Sequence, residues 1–254
     1  MAEKEMEVKK DFNSLVFSEE GKDFLSNLES MKEVISFKFL DKIKVPSGAV
    51  PMWTMKNAER EEEVIKSFRG VIIGVQRTRA YWEKDLSDGG TNQIPDCMSV
   101  DGINGSTFGN CTVCSKSHFG VNKEPPECAE KILLYILLEG NMMLPAVLQI
   151  PSTSIKEYQN YLMDTLKFGK ALNMVVTEFS LVKAENKDKI AYCKIAFKKV
   201  DNLTKEKAEL INRYVKEIFD SVKLKAFIET APETGEMPES LKKAISEAKE
   251  EIKK

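Results

Sequence analysis

The chain has 254 residues, 42% of them hydrophobic and 31% charged, with a formal net charge of −2. That is the composition of a water-soluble globular protein able to bury a sizeable core. It excludes a helical membrane protein, because the longest apolar run, Ile132 to Leu138, is far too short to span a bilayer.

The N-terminus, MAEKEMEVKKDF, has no apolar signal core, so a cytoplasmic setting is expected. Five cysteines in such a chain read as thiols or metal ligands rather than disulfides. No long segment has a cationic excess, which weighs against nucleic-acid binding by bulk charge and leaves only a local patch to provide it.

In chain order, residues 1–32 read as a charged helix with Phe24, Leu25, Leu28 and Met31 at helical spacing. Val34 to Val45 reads as a strand broken by Pro46, Ser47 and Gly48, and Trp53 just beyond is expected to plug the core. Val64 to Trp82 is long, β-branched and marked by Gly70 and Gly74, which predicts a bulged or bent strand. Val71, Ile73 and Val75 share one face of it, and Arg77, Arg79 and Tyr81 continue that face unless a bulge flips the register. A glycine-, asparagine- and aspartate-rich loop then interrupts the sheet.

Lys131 to Glu139 is an apolar strand, returning through Gly140 and Asn141 as Met143 to Ile150. Pro151 to Ser154 supply N-cap chemistry for a helix ending at Gly169, with Ile155, Tyr158, Leu162, Thr165 and Leu166 inward. Leu172 to Lys183 and Lys189 to Val200 are two more strands. In the second, Cys193 alternates with Ile195 and Phe197 and reads as a small buried hydrophobe, not a further ligand. Thr204 to Val222 is an amphipathic helix, followed by a Pro- and Glu-rich linker at 232–238 and a charged terminal helix.

The interrupting loop holds Cys97, Cys111, Cys114 and Cys128, spaced C-x13-C-x2-C-x13-C. Two thiolates two residues apart grip one ion from a tight turn, and two more complete a tetrahedron. The pattern predicts a closed, structural zinc site, with an iron–sulfur cluster or free thiols as the alternatives. Four thiolates leave no open position for catalysis. His118, the chain's one histidine, is spare, and it follows the C-x-x-C instead of preceding it as a zinc deaminase requires.

Long strand, loop insert, strand, strand, helix, strand, strand is the order of a five-stranded oligonucleotide-binding (OB) barrel. The expected fold class is therefore mainly β with flanking helices (α+β): an OB-like barrel with the four-cysteine zinc loop between its first and second strands. The expected division is an N-terminal arm at 1–45, the barrel at 46–200 with its zinc insert at about 86–129, a packing helix at 201–230, and a linker and charged helix at 231–254.

A barrel with a cysteine-rich zinc insert between early strands resembles the helix-destabilising single-stranded DNA-binding proteins of T4-type phages. The likeness lies in architecture over roughly residues 60–200. The series RAYW (Arg79–Trp82), PDC (Pro95–Cys97), CTVC (Cys111–Cys114) and Cys128 is also similar to proteins encoded by phages and integrated elements. The family's zinc site includes a histidine and its tail is strongly acidic. Neither feature is present here, so cooperative assembly and tail-mediated recruitment are not carried over.

Arg77, Arg79, Tyr81 and Trp82 place phosphate donors and stacking rings within six residues, the combination used for sequence-independent single-strand binding. Lys116, His118 and Phe119 after the C-x-x-C, where a solvated loop is the competing reading, and Arg69 on the long strand extend the candidate set, with Lys66, Lys194 and Lys198 weaker members. The competing reading has the rings covering the barrel end and the arginines paired with Glu83 or Asp85.

Catalysis has little to stand on: there is no phosphate loop and no serine elbow. Asp96 followed by Glu130-Lys131 lacks the Glu-x-Lys spacing of a nuclease. The expected function is non-enzymatic single-stranded DNA binding in phage or mobile-element replication or recombination, with RNA as an alternative ligand. Replication proteins are expected partners of the C-terminal helix. The runner-up is a zinc-stabilised protein-interaction module of a replication or transcription assembly.

Overall fold

The computed structural model describes residues 17–18, 40–46, 48–56, 61–83, 95–99, 101–120, 124–140, 144–186 and 189–216. The expected terminal helix, the linker before it and nearly all of the N-terminal arm's helix lie outside these residues. The described chain is mainly β with a few helices.

Its principal sheet is curled, and its path begins with β1 (Lys42–Ile43), β9 (Ala146–Ile150) and β8 (Ala129–Leu138). It continues through β4 (Ser67–Tyr81) and β10 (Val175–Glu185) to β11 (Ala191–Asn202). A short β5 (Cys97–Ser99) pairs with the end of β4. Two small hairpins lie outside the sheet, β2 (Trp53–Lys56) with β3 (Glu62–Ile65) and β6 (Asn104–Gly105) with β7 (Gly109–Asn110).

The sheet does not close among the described residues. A five-stranded barrel would give the free edge of β9 to the last strand, but here β1 runs parallel along it, pairing Lys42 with Val147 and Ile43 with Leu148. β11 is left as the other edge.

The long strand breaks at Lys66 and carries a bulge between Ile72 and Gly74. Val71 and Ile73 therefore face one side with Tyr135 and Leu137, while Val75 turns to the other with Ile72 and Leu134. The extra residue shifts the two-residue alternation, so the expectation that Val71, Ile73 and Val75 share a face is corrected. Gly70 lies where backbones crowd, since a Cβ there would collide with the Ile136 side chain and stand 2.8 Å from the Leu137 carbonyl oxygen.

β8 is apolar on both faces because both are covered. Ile132, Leu134, Ile136 and Leu138 enter the larger core with Trp53, Phe68, Phe179 and Ile195. Tyr135 and Leu137 meet the second core on the outer face. Trp53 is fully buried, edge-on to Phe68, as its sequence context predicts. Each buried large apolar side chain is worth about 1.5–3 kcal/mol, so these two layers dominate the fold's stability.

Helix α1 (Ile155–Lys167) joins β9 to β10 and stacks Tyr161 on Phe197 of β11, with Tyr158 edge-on to the same ring. Its buried residues are Tyr158, Tyr161 and Thr165, whereas Leu166, expected inward, is exposed. Ser154 does not cap the helix, because its hydroxyl accepts instead from the backbone N–H of Ile195 at 2.9 Å. Gly169 ends the segment at φ 68°, a left-handed conformation that glycine adopts without cost. Helix α2 (Lys205–Tyr214) starts at Thr204, whose hydroxyl accepts from the Lys207 N–H, and buries Ala208, Ile211 and Tyr214, the last two in the outer core.

Candidate nucleic-acid interface and cysteine cluster

Beyond the bulge, Val75, Arg77, Arg79 and Tyr81 alternate toward the larger core's side of β4. Opposite them on β8, Ile132 partners Arg77 and Glu130 partners Arg79. The apolar core gives way to charge at that point. Glu130 serves both arginines, Oε1 at 3.7 Å from Arg77 Nη1 and Oε2 at 3.1 Å from Arg79 Nη2. The arginines are thus paired, as the competing reading requires, but with Glu130; Asp85, one of the partners expected for them, lies outside the described residues. Arg79 is the more enclosed, its side chain 18% exposed against 49% for Arg77.

The cysteine loop is built onto this end of β4. Cys97 lies on β5 opposite Tyr81. The Cys111 N–H donates to the Ile103 carbonyl at 2.7 Å, and the Cys128 N–H to the Lys116 carbonyl at 2.9 Å. Between them a short 3-10 turn, Ser115–Ser117, follows Cys114, and the Ser117 hydroxyl donates to the carbonyls of Cys111 and Cys114. Arg79 Nη1 reaches the Ser117 carbonyl at 3.4 Å, tying the loop to the sheet.

Asp101 organises the loop's other half, accepting from the N–H groups of Ile103 and Asn104 at 2.7 Å each. Burial alone would raise its pKa, but the Asn104 and Ile103 N–H groups outweigh it and hold the carboxyl below its ordinary value. His118 is spent on the loop, its Nε2 2.8 Å from the Thr112 carbonyl.

Cys97, Cys111 and Cys128 are buried, Cys114 is half-buried, and all four are free thiols. A Cβ on Gly105 would stand 3.0 Å from Cys97 Sγ and from the Gly109 carbonyl oxygen, so the glycine leaves that sulfur its room, and Cys111 Sγ would be in ordinary contact at 3.5 Å. Burial pushes the Cys111 and Cys128 thiols up. The nearby Arg79 charge opposes it in both, and the neighbouring cysteines add to the rise. The donors are soft and all sulfur, and they share one end of the fold. Among the described residues, however, no three His, Cys, Asp or Glu side chains stand within coordinating reach of one point.

Lys116 turns inward. Its Nζ donates to the Tyr81 hydroxyl at 2.8 Å and to Glu127 at 2.9 Å, and lies 4.0 Å from the Tyr81 ring centre. The Tyr81 hydroxyl and then Glu127 hold the ammonium above its ordinary pKa. Tyr81 is buried, with Phe108 edge-on to its ring at 5.7 Å. Lys116 and Tyr81 therefore clamp the loop to β4. The rings left accessible are Trp82, 38% exposed, Phe108 and Phe119. Phe108 was legible only as one more loop residue; its contact with Tyr81 is what places it here.

The remaining candidates do not join them. Arg69 sits at the far end of β4, paired with Glu139 at 3.4 Å, with Lys66 three residues before it. Lys194 pairs with Glu157 at 2.9 Å, and Lys198 lies four residues further along β11. Asp96 accepts from the Glu83 N–H at 2.7 Å, so both carboxylates of the nuclease-like pair are engaged in structural contacts.

Compared with known protein families, curated proteins and solved structures, the chain matches none. No helix among the described residues is long and apolar enough to cross a membrane.

Proposed function

We propose that this chain is a non-enzymatic OB-type protein that binds single-stranded DNA in phage or mobile-element replication or recombination, with a zinc-held loop as one wall of its binding region. The observation that carries the proposal is the strand order. Taken as barrel strands one to five, β4, β8, β9, β10 and β11 lie in the spatial order 3-2-1-4-5. That order is the one an OB barrel would present if opened between its third and fifth strands, and the positions of the helix after the third strand and of the cysteine loop after the first support the reading. Exposed Trp82, Phe108 and Phe119 supply stacking surfaces on the end of β4 and the cysteine loop, and Arg77 keeps half of its side chain exposed. Stacking is worth about 1–3 kcal/mol per base whatever the base.

Cys97, Cys111, Cys114 and Cys128 would hold the zinc, as thiolates. The ion would supply structural cross-linking of the loop and no reaction chemistry. RNA remains an alternative ligand.

The test is fluorescence anisotropy with labelled single-stranded and duplex oligonucleotides over a salt series. Tighter binding to the single strand, weakening as salt rises, is expected. Absence of binding at low salt, or equal binding to both forms, would refute it. The second reading, a protein-interaction module, is favoured by the exposed Ile103, Val113 and Phe119 on the cysteine loop. It predicts that their replacement by serine leaves DNA affinity unchanged.

A further inference from the structure

Arg77 and Arg79 share one carboxylate, yet they are held very differently. Arg79 donates a hydrogen bond from Nη2 to Glu130 Oε2 at 3.1 Å and another from Nη1 to the Ser117 carbonyl, and its side chain is largely enclosed. Arg77 meets Glu130 Oε1 at 3.7 Å, an ion pair too long for a hydrogen bond. Among the described residues its guanidinium makes no hydrogen bond, although that group carries several N–H donors in a planar fork.

The stem of Arg77 is nevertheless well placed. It lies opposite Ile132 of β8, and a Cβ on Gly102 of the cysteine loop would stand 3.0 Å from its own Cβ. Burial pushes the Tyr158 hydroxyl of α1 up, and the Arg77 charge opposes that rise, so the charged head acts toward the start of α1. Arg77 thus stands where β4, the cysteine loop and α1 meet, with a packed stem and half of its side chain exposed. Glu130, by contrast, is fixed by its hydrogen bond to Arg79, which holds the second carboxylate oxygen toward Arg77.

Resting on the single-strand-binding reading, we infer that Glu130 is an internal competitor for the backbone phosphate that Arg77 binds. Arg79 keeps the competitor in place through Oε2. Arg77 exchanges Oε1 for a phosphate, to which its fork can make the paired, charge-assisted hydrogen bonds that it does not make to Glu130. The carboxylate left behind repels the incoming phosphate. Glu130 is therefore a positioning residue that lowers affinity through Arg77 without touching the ligand, and Arg79 is spent on holding it.

The experiment follows labelled oligothymidylate by fluorescence anisotropy over a salt series with the wild-type chain, Glu130→Gln, Arg77→Gln and the double variant. Glu130→Gln should bind about fivefold more tightly at low salt, the upper end for a partly exposed ion pair, and the gain should shrink as salt rises. Arg77→Gln should bind more weakly and flatten the slope of log affinity against log salt by about 0.7, the loss of one phosphate contact on a single strand. In the double variant the gain should vanish, leaving affinity within about twofold of Arg77→Gln. Circular dichroism checks that each variant is folded at the assay temperature. Should Glu130→Gln not fold, Glu130→Asp, whose carboxylate is drawn back from Arg77 by one methylene, is held to the same outcomes. A Glu130 variant that binds no more tightly than the wild type, or whose gain persists in full without Arg77, overturns the inference and leaves the single-strand reading intact. So does an Arg77→Gln variant with wild-type affinity and slope. A wild type that fails to bind oligothymidylate overturns both.

Discussion

Removing the carboxylate of Glu130 tests how the cysteine end is held together. Glu130 is 27% exposed and is shared by two guanidinium groups, 3.1 Å from Arg79 and 3.7 Å from Arg77. The gross attraction of the closer pair at an effective dielectric of 20 is about 5 kcal/mol. Desolvation and side-chain ordering cancel most of that, and hydrogen bonds to charged groups keep about 1.5–3 kcal/mol net. Glu130→Ala should therefore cost about 2 kcal/mol, leaving Arg79 with the Ser117 carbonyl as a weaker partner. Glu130→Gln, which keeps one acceptor, should cost about half as much.

For a chain of this size 2 kcal/mol lowers Tm by about 4–8 °C, measurable by circular dichroism. A double-mutant cycle with Arg79→Ala should return a coupling of about 1 kcal/mol. Affinity for single-stranded DNA should not fall, because the change releases cationic charge. A Glu130→Ala variant that melts with the wild type, or one that is stable but loses DNA, would refute the structural role assigned here.

Other outcomes are as specific. Gly70→Ala should destabilise by about 1–3 kcal/mol in chemical denaturation, because the new methyl meets Ile136 and the Leu137 carbonyl between two paired strands. Thr204→Ala removes the hydroxyl that accepts from the Lys207 N–H and should cost about 1 kcal/mol in the same assay. Elemental analysis should find zinc stoichiometric with chain, and a strong chelator should lower Tm, because such sites hold on the order of 10–16 kcal/mol of apparent folding free energy. A metal-free preparation melting with the native one removes the zinc proposal.

The elements of the sheet were legible because their signals are local. The apolar run in β8, the alternation of Cys193, Ile195 and Phe197 in β11, and the threonine before α2 each determine their own neighbourhood. Pairing partners were not. The bulge at Ile73 depends on the register against β8, and it alone decides which face Arg77 and Arg79 take. Nothing in the sequence around Lys42 shows that so short a strand occupies the edge of β9.

The cysteine loop shows the same division. The spacing of the C-x-x-C and its outlying cysteines predicts a shared site, whereas among the described residues no three such side chains converge on one point. The inward turn of Lys116 onto Tyr81, and the sharing of Glu130 by two arginines, the nearer of them 51 residues upstream, arise from contacts distant in sequence. A cation beside an aromatic ring reads as a phosphate donor in one dimension and as a clamp in three.

The claim at the centre of this account is preference for single-stranded DNA. Melting of an AT-rich duplex with and without the protein, at low salt, measures that preference directly, since a ligand stabilises whichever form it binds more tightly. The account predicts that the duplex melts at a lower temperature as protein is added. An unchanged or raised duplex melting temperature would contradict it.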